Sequence, residues 1–407
     1  MKEGFDKIEL KDACDVFADG DWIERKDQSD EGIRLVQTGN IGFGFFKDKK
    51  DKSRFISEET FNRLNCTEIV AGDLLVSRLP DPVGKSCIIP EINSKMITGV
   101  DCTIIRPKDN LSSEFLGYYQ MSHQYLKDVQ ASVSGATRQR ISRKKLGLIQ
   151  IPLPPLTQQK QIVATLDKAF AFIDTAKANA EQNLQNAKEL FESYLQNVFE
   201  NKGDDWEEKT LGELCERVSV GYVGPTSKFY CDPSIGVPFI RSQNVRSGYL
   251  DWKGIQHVTK EFHNSVKKSQ LKIEDILFVR VGAKRGDCCV LKEDIKELNC
   301  ANIVFARLKT GNVDFIDRFC QSSVGKKQLL GMSVGAAQGV INTKSVAGLI
   351  IPYPPLSIQQ TIVQKANTLS AETKKLEAIY TQKIADLEEM KKSILQSAFS
   401  GQLNTQI

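Results

Sequence analysis

Two long stretches of this sequence place apolar or small residues at alternating steps of four and three. The first runs through Ile162, Leu166, Ile173, Ala180, Ala187, Leu190 and Tyr194. The second runs through Ile362, Leu369, Leu376, Tyr380, Leu387, Met390 and Ile394. Neither stretch contains Pro or Gly. This is the seam of a coiled coil, and it predicts two helices of about 43 residues, each roughly 65 Å long at 1.5 Å per residue. Where the second stretch has large residues the first has small ones: Ala176 against Leu376, Ala180 against Tyr380, Ala187 against Leu387. Such complementarity predicts that the helices pack on each other; the alternative is that each covers its own globule. Connectivity then makes the pair antiparallel, because the second helix starts where the first one ends.

The rest of the chain reads differently. Short β-branched and apolar runs at 33–36, 74–77, 86–89 and 102–106 predict strands, and helical stretches lie near 57–64 and 113–128. Runs at 237–240, 276–281, 287–291 and 302–307, with a helical stretch near 313–330, predict a second globule of the same kind. The two are copies. Ile151-Pro152-Leu153-Pro154-Pro155-Leu156 returns 200 residues later as Ile351-Pro352-Tyr353-Pro354-Pro355-Leu356. Gly135-Ala136 matches Gly335-Ala336, and Ile141 matches Ile341, at the same spacing. Further back, Gly72 to Arg78 resembles Glu274 to Arg280, and Val36 to Ile41 resembles Ile240 to Val245, as loop insertions would allow. The paired prolines force extended backbone ahead of each helix. Thr157 and Ser357 stand where N-caps belong, and Gly203 and Gly401 lie just past the helical patterns. The expected fold is mixed α+β, with α/β globules at 1–150 and 203–350 in a pseudo-two-fold arrangement. Hinge and helix segments at 151–202 and 351–407 separate them.

Composition narrows the function. No apolar run is long enough to span a membrane, and Met1-Lys2-Glu3-Gly4 opens no apolar leader, so a soluble cytoplasmic protein is expected. Ten scattered cysteines form no Cys-x-x-Cys and only three histidines exist, which favours reduced, buried thiols over a zinc site. Net charge is +4, compatible with a polyanion partner if the positive charge is gathered locally. Gly84-Lys85-Ser86 looks like the end of a phosphate-binding loop, but the first glycine would fall at Leu79. Asp205 and Glu207-Glu208-Lys209 sit in a linker with no strand around them. No catalytic residues and no metal site are expected.

Basic residues cluster together with amides. Thr137-Arg138-Gln139-Arg140-Ile141-Ser142-Arg143-Lys144-Lys145 holds five positive charges in nine residues. Arg and Gln pair bidentately with guanine and adenine edges, while Lys suits phosphate. The equivalent place in the second copy keeps Gln338, Asn342 and Lys344 but no arginine, as two readers of different base sequences would. Arg241-Ser242-Gln243-Asn244 and Lys284-Arg285 add smaller clusters.

With these features the sequence resembles the DNA-specificity subunits of type I restriction–modification enzymes. The likeness rests on the two proline hinges, followed by Gln158-Gln159 with Ile162-Val163 and by Gln359-Gln360 with Ile362-Val363. It also rests on the Gly135-Ala136-Thr137 loop, the Gly72-Asp73 to Arg78 strand and the terminal Ala398 to Leu403. Glu274 departs from the family, which usually has Gly there, and Ala337 stands opposite Thr137. The resemblance implies that each globule is a target recognition domain reading half of a split, asymmetric site in double-stranded DNA. It implies helices that set the gap and dock two methyltransferase subunits, which bring S-adenosylmethionine and modify adenine. Two ATP-dependent restriction subunits using Mg would join for cleavage. This chain itself would bind no cofactor and catalyse nothing, in a bacterial or archaeal cytoplasm.

The expected DNA contacts in the first globule are Gln37, Asn40, Arg78 and Lys85, with Thr137, Arg138, Gln139, Arg140, Arg143 and Lys144 on the basic loop. In the second they are Arg241, Gln243, Asn244, Arg280, Lys284 and Arg285, with Gln338, Asn342 and Lys344 before the hinge. The rival reading is a coiled-coil scaffold that bridges two protein partners without reading DNA. A self-contained nuclease or methyltransferase is disfavoured by the missing motifs.

Overall fold

A computed structural model of the chain describes residues 5–135, 139–332 and 339–400. It divides into two compact units, Met1–Ala180 with Gln382–Ile407, and Glu181–Thr381. In the first unit, strands Leu74–Ser77 and Cys102–Pro107 form the centre of an antiparallel four-stranded sheet, flanked by Ser86–Ile88 and Cys14–Asp19. Both faces are covered, which is why these strands read as unbroken apolar runs. Leu74, Val76 and Ile105 face one core with Phe115, Leu116 and Tyr119. Leu75, Cys87 and Ile104 face another, under a smaller sheet in which Ile33–Val36 and Met96–Thr98 run parallel.

The second unit repeats this plan. Ile276–Val279 and Ile303–Leu308 lie between Cys288–Val290 and Cys215–Val220. The predicted helical stretch near 113–128 is two helices, Ser113–Gln120 and His123–Ser132, and its counterpart is Val313–Gln321 with Ser323–Gly331. Ser122 and Ser322 break them: each caps the second helix, accepting from the amides of Tyr125 and Gly325. Of the ten cysteines nine are buried and all are free.

Each hinge starts as a strand, Gln150–Pro152 against Lys7–Glu9 and Ile350–Tyr353 against Glu207–Thr210. The long helices are Leu156–Glu200 and Leu356–Phe399. They begin earlier than the capping pattern predicts, so Thr157 and Ser357 are helical and do not cap. Fully buried glutamines tie down the hinge instead. Gln159 accepts from the Ser112 amide at 2.8 Å and donates to the carbonyls of Asn110 at 2.9 Å and Pro154 at 2.8 Å. Gln359 accepts from the Asn312 amide and donates to the Pro354 carbonyl, both at 2.9 Å.

The helices are antiparallel: Lys391 meets Asp174 at 2.8 Å while Lys177 meets Glu388 at 2.6 Å. Each also covers a globule. Ile162, Leu166 and Ile173 join the first core, to which Leu395 and Ala398 return. Leu195 and Phe199 reach the second core beside Ile362 and Ala366. Ala180 and Ala187 are buried and Tyr194, Leu369, Tyr380, Leu387 and Ile394 half-buried, as the seam requires. Leu190, Leu376 and Met390 are not: they are 48%, 37% and 50% exposed. Their neighbours Phe191, Glu377 and Lys391 turn inward. A straight α-helix drifts by about 20° per heptad against a strict seven-residue repeat, so one set of seam positions slips by a residue along the helix.

Candidate nucleic-acid interface

One central strand of each globule, Leu74–Ser77 or Ile276–Val279, runs into an arginine, and each globule also has a turn built identically in both. In the first globule the Gln37 amide donates to Asn40 Oδ1 at 3.0 Å, Asn40 Nδ2 donates to the Lys47 carbonyl at 3.0 Å, and the Lys47 amide donates back at 2.7 Å. In the second, Arg241, Asn244 and Asp251 make the same three bonds at 3.0, 3.0 and 2.7 Å. Both asparagines therefore hold the turn, and Asn244 is fully buried. An Asn side chain suits a turn for the same donor–acceptor chemistry that suits adenine.

What the turns present differs. Gln37 and Arg140 line a concavity of about 380 Å³ together with Trp22, Thr38 and Asp101. Gln139 and Lys144 are exposed, and Arg140 keeps 45% of its side chain exposed while pairing with Asp101 at 3.2 Å. Arg143 lies 3.7 Å from Asp19. Arg78 is only 4% exposed; it bonds the Val100 carbonyl and pairs with Asp19 at 3.2 Å. Burial holds its guanidinium below the ordinary value against the pull of Asp19. Arg78 thus braces the surface from behind. Thr137, Arg138 and Gln338 lie outside the described residues.

In the second globule Gln243, Lys284 and Lys344 are exposed. Arg241 is half-buried, donating to the Tyr230 hydroxyl at 3.3 Å with its guanidinium 5.7 Å from that ring. Arg280 is half-buried. Arg285 is tied to the Gly339 carbonyl. Asn342 caps helix Thr343–Ala347, accepting from the Ser345 amide at 2.9 Å, so it too is structural. One residue escapes sequence reasoning: Trp22 is 70% exposed beside the concavity, and Val223, its counterpart across the repeat, is 57% exposed. A single exposed aromatic carries no period, so only its place in the fold marks it.

Comparison with known proteins fits this arrangement. The family profile described as type I restriction modification DNA specificity domain matches twice, over residues 2–186 and 203–389. The type I restriction enzyme EcoBI specificity subunit of Escherichia coli is 27% identical over 75% of this chain and 69% of its own length. The EcoKI specificity subunit of Escherichia coli strain K12 is 25% identical over 76% of this chain and 69% of its own length. Among solved structures, a chain described in work on complex assembly and conformational transition of the type I R-M system superposes with a TM-score of 0.79 at 19% identity, covering 99% of each chain. The HsdS subunit from Thermoanaerobacter tengcongensis superposes with a TM-score of 0.63 at 18% identity, covering 99% of this chain and 98% of its own.

Proposed function

Because the chain belongs to the family of type I restriction–modification DNA specificity subunits, whose members recognise DNA without catalysing, we propose that its two globules each read one half of a bipartite, asymmetric duplex site. The observation that carries this reading is the repeated turn. Two globules keep the same hydrogen-bond framework around their surface turns, yet the side chains on equivalent positions differ: Gln37 against Arg241, Gly39 against Gln243. Keeping the frame while changing the polar surface is what two readers of different base sequences require. Gln37, Gln139, Arg140 and Lys144 serve the first half, and Arg241, Gln243, Arg280, Lys284 and Lys344 the second. Thr137, Arg138 and Gln338, which lie outside the described residues, complete the set.

The long helices set the spacing between the half-sites and dock two methyltransferase subunits, which bring S-adenosylmethionine to adenine; ATP-dependent restriction subunits join that assembly. Residues 1–150 and 203–350 are the recognition domains, and 151–202 and 351–407 the hinges and helices. Selection of bound duplexes from a random-sequence pool, followed by sequencing, tests the reading. Two short enriched blocks at one fixed spacing are expected. A pool that returns unenriched makes the chain a scaffold instead.

A further inference from the structure

The first globule holds a group of lysines that its own acids leave uncompensated. Lys47 and Lys49 are exposed on the loop that follows the repeated turn. The Lys49 ammonium overhangs the bare backbone of Gly39, where an added methyl would lie 3.3 Å from Nζ. Lys85 is half-buried beside that loop and donates to the Asp81 carbonyl at 3.0 Å. Burial, then the charge of Lys47 and, more weakly, of Lys49, hold the Lys85 ammonium below its ordinary value even though Asp81 pulls the other way. The Gly44 amide donates to the Ser86 carbonyl at 2.9 Å and holds this loop beside Lys85, which places Lys47 and Lys49 within electrostatic reach of that amine. Asp48, between two of them in sequence, points to Arg34 at 2.6 Å and lies 4.0 Å from Lys50. Among the described residues no ion pair engages Lys47, Lys49 or Lys85. Like charges held together without a counter-charge repel, and an anion placed between them relieves the repulsion. Gly39 follows Thr38, which lines the concavity with Gln37 and Arg140, so the lysines continue the candidate interface at its rim.

The second globule inverts this charge. The repeated turn pairs Lys47 with Asp251, and Lys253 follows two residues on, as Lys49 does. The Ser77 amide donates to the Lys85 carbonyl at 2.9 Å, and the Val279 amide to the Asp287 carbonyl at 2.8 Å, so Lys85 corresponds to Asp287. Three positive positions in one globule face one positive and two negative in the other.

Resting on the reading of the chain as a duplex binder, we propose that Lys47, Lys49 and Lys85 cradle backbone phosphates, and that this cradle has no counterpart at the equivalent positions of the second globule. The duplex is held unevenly: the first half gains a charge contact that Asp251 and Asp287 deny to the same place in the second.

The test measures binding of the full chain to a random-sequence duplex pool across a salt series. Lys47→Asp with Lys85→Asp writes the second globule's charges into the first. Affinity is expected to fall, and the slope of log affinity against log salt to flatten by about 0.9 for each phosphate no longer neutralised. Lys47→Gln with Lys49→Gln, both at exposed positions, guards against a folding defect and is expected to flatten the slope less. Asp251→Lys with Asp287→Lys is expected to steepen it. Wild-type slopes in both first-globule variants overturn the cradle and leave the DNA reading standing. A weakening that differs between bound sequences also overturns it, because phosphate contacts carry no sequence information. A wild-type chain that binds no duplex overturns both.

Discussion

Arg78 and Arg280 occupy the same place in the two globules, each accepting at its main-chain carbonyl from the amide of Ile141 or Ile341. Their surroundings differ. Asp19, at the end of the outer strand Cys14–Asp19 of the same sheet, lies 3.2 Å from Arg78. In the second globule that strand ends at Val220, and no ion pair among the described residues engages Arg280. The first globule neutralises its arginine internally and carries lysines without ion pairs on the rim; the second leaves its arginine without an ion pair and carries aspartates there. A framework held by main-chain and amide hydrogen bonds does not depend on surface charge, so duplicated copies can diverge in what they present while keeping their shape.

The frame itself is the first thing to break. Each globule takes an aromatic ring from the far end of a long helix: Phe199 packs 5.2 Å from Phe319 and 5.5 Å from Phe315, and Phe399 packs 5.3 Å from Tyr119 and 5.4 Å from Phe115. Phe199 is 3% exposed, and Phe199→Ala is expected to cost about 3–5 kcal/mol, read by urea unfolding of the second unit through Trp206, 6.4 Å from Phe315. Phe399→Ala, at a half-buried ring, is expected to cost less. Equal costs would break the idea that burial ranks the two rings.

Asp317 sharpens the contrast further, because Gly117 stands at its place in the first globule. Burial pushes the Asp317 carboxyl up to about 7. Folding therefore raises its affinity for a proton. Between about pH 4 and pH 7 the folded state binds more protons than the unfolded one, so stability falls as pH rises through that window. Asp317→Asn is expected to remove the fall, gaining on the order of 2–4 kcal/mol at pH 8 and little at pH 4. Melting curves of both proteins across that range check it; parallel curves would mean that the carboxylate stays ionised throughout.

The two arginines should then give opposite phenotypes. Arg78→Ala strands Asp19 and the Val100 carbonyl, and about 2 kcal/mol of stability is expected to be lost. Arg280→Ala is expected to change stability within about 0.5 kcal/mol and to weaken binding of the selected duplex by about 1–3 kcal/mol. Matching phenotypes, measured by melting and by titration with that duplex, would show that the internal ion pair does not separate their roles.

The sequence made the duplication legible because the hinge prolines and the coiled-coil period are local signals that survive divergence. It made the strands legible because sheets covered on both faces need unbroken apolar runs. It did not reveal the turn and cap bonds of Asn40, Asn244 and Asn342, because an amide fitted for a base edge is equally fitted for a turn or a cap. It misled at Leu190, Leu376 and Met390, where a fixed repeat outruns the real pitch of the helix. Lys47 and Lys49 stayed hidden because Asp48 and Asp51 interleave with the lysines of 47–52 and halve the charge of that run. Only the fold pairs Asp48 with Arg34 and leaves Lys47 and Lys49 without an ion pair.

The smallest expected effect lies at Glu274, which takes φ +66° where the first globule has Gly72 at φ +89°. A side chain in this left-handed region costs about 1 kcal/mol or more, whereas glycine adopts it freely. Glu274→Gly is therefore expected to stabilise the second unit by about 1 kcal/mol, a rise in Tm of roughly 2–4 °C. Gly72→Ala should destabilise the first by a similar amount, since an added methyl there meets nothing within 4 Å and only the backbone strain remains. If Glu274→Gly destabilises instead, the glutamate side chain contributes more than its backbone costs, and the two turns are alike in shape but not in energetics.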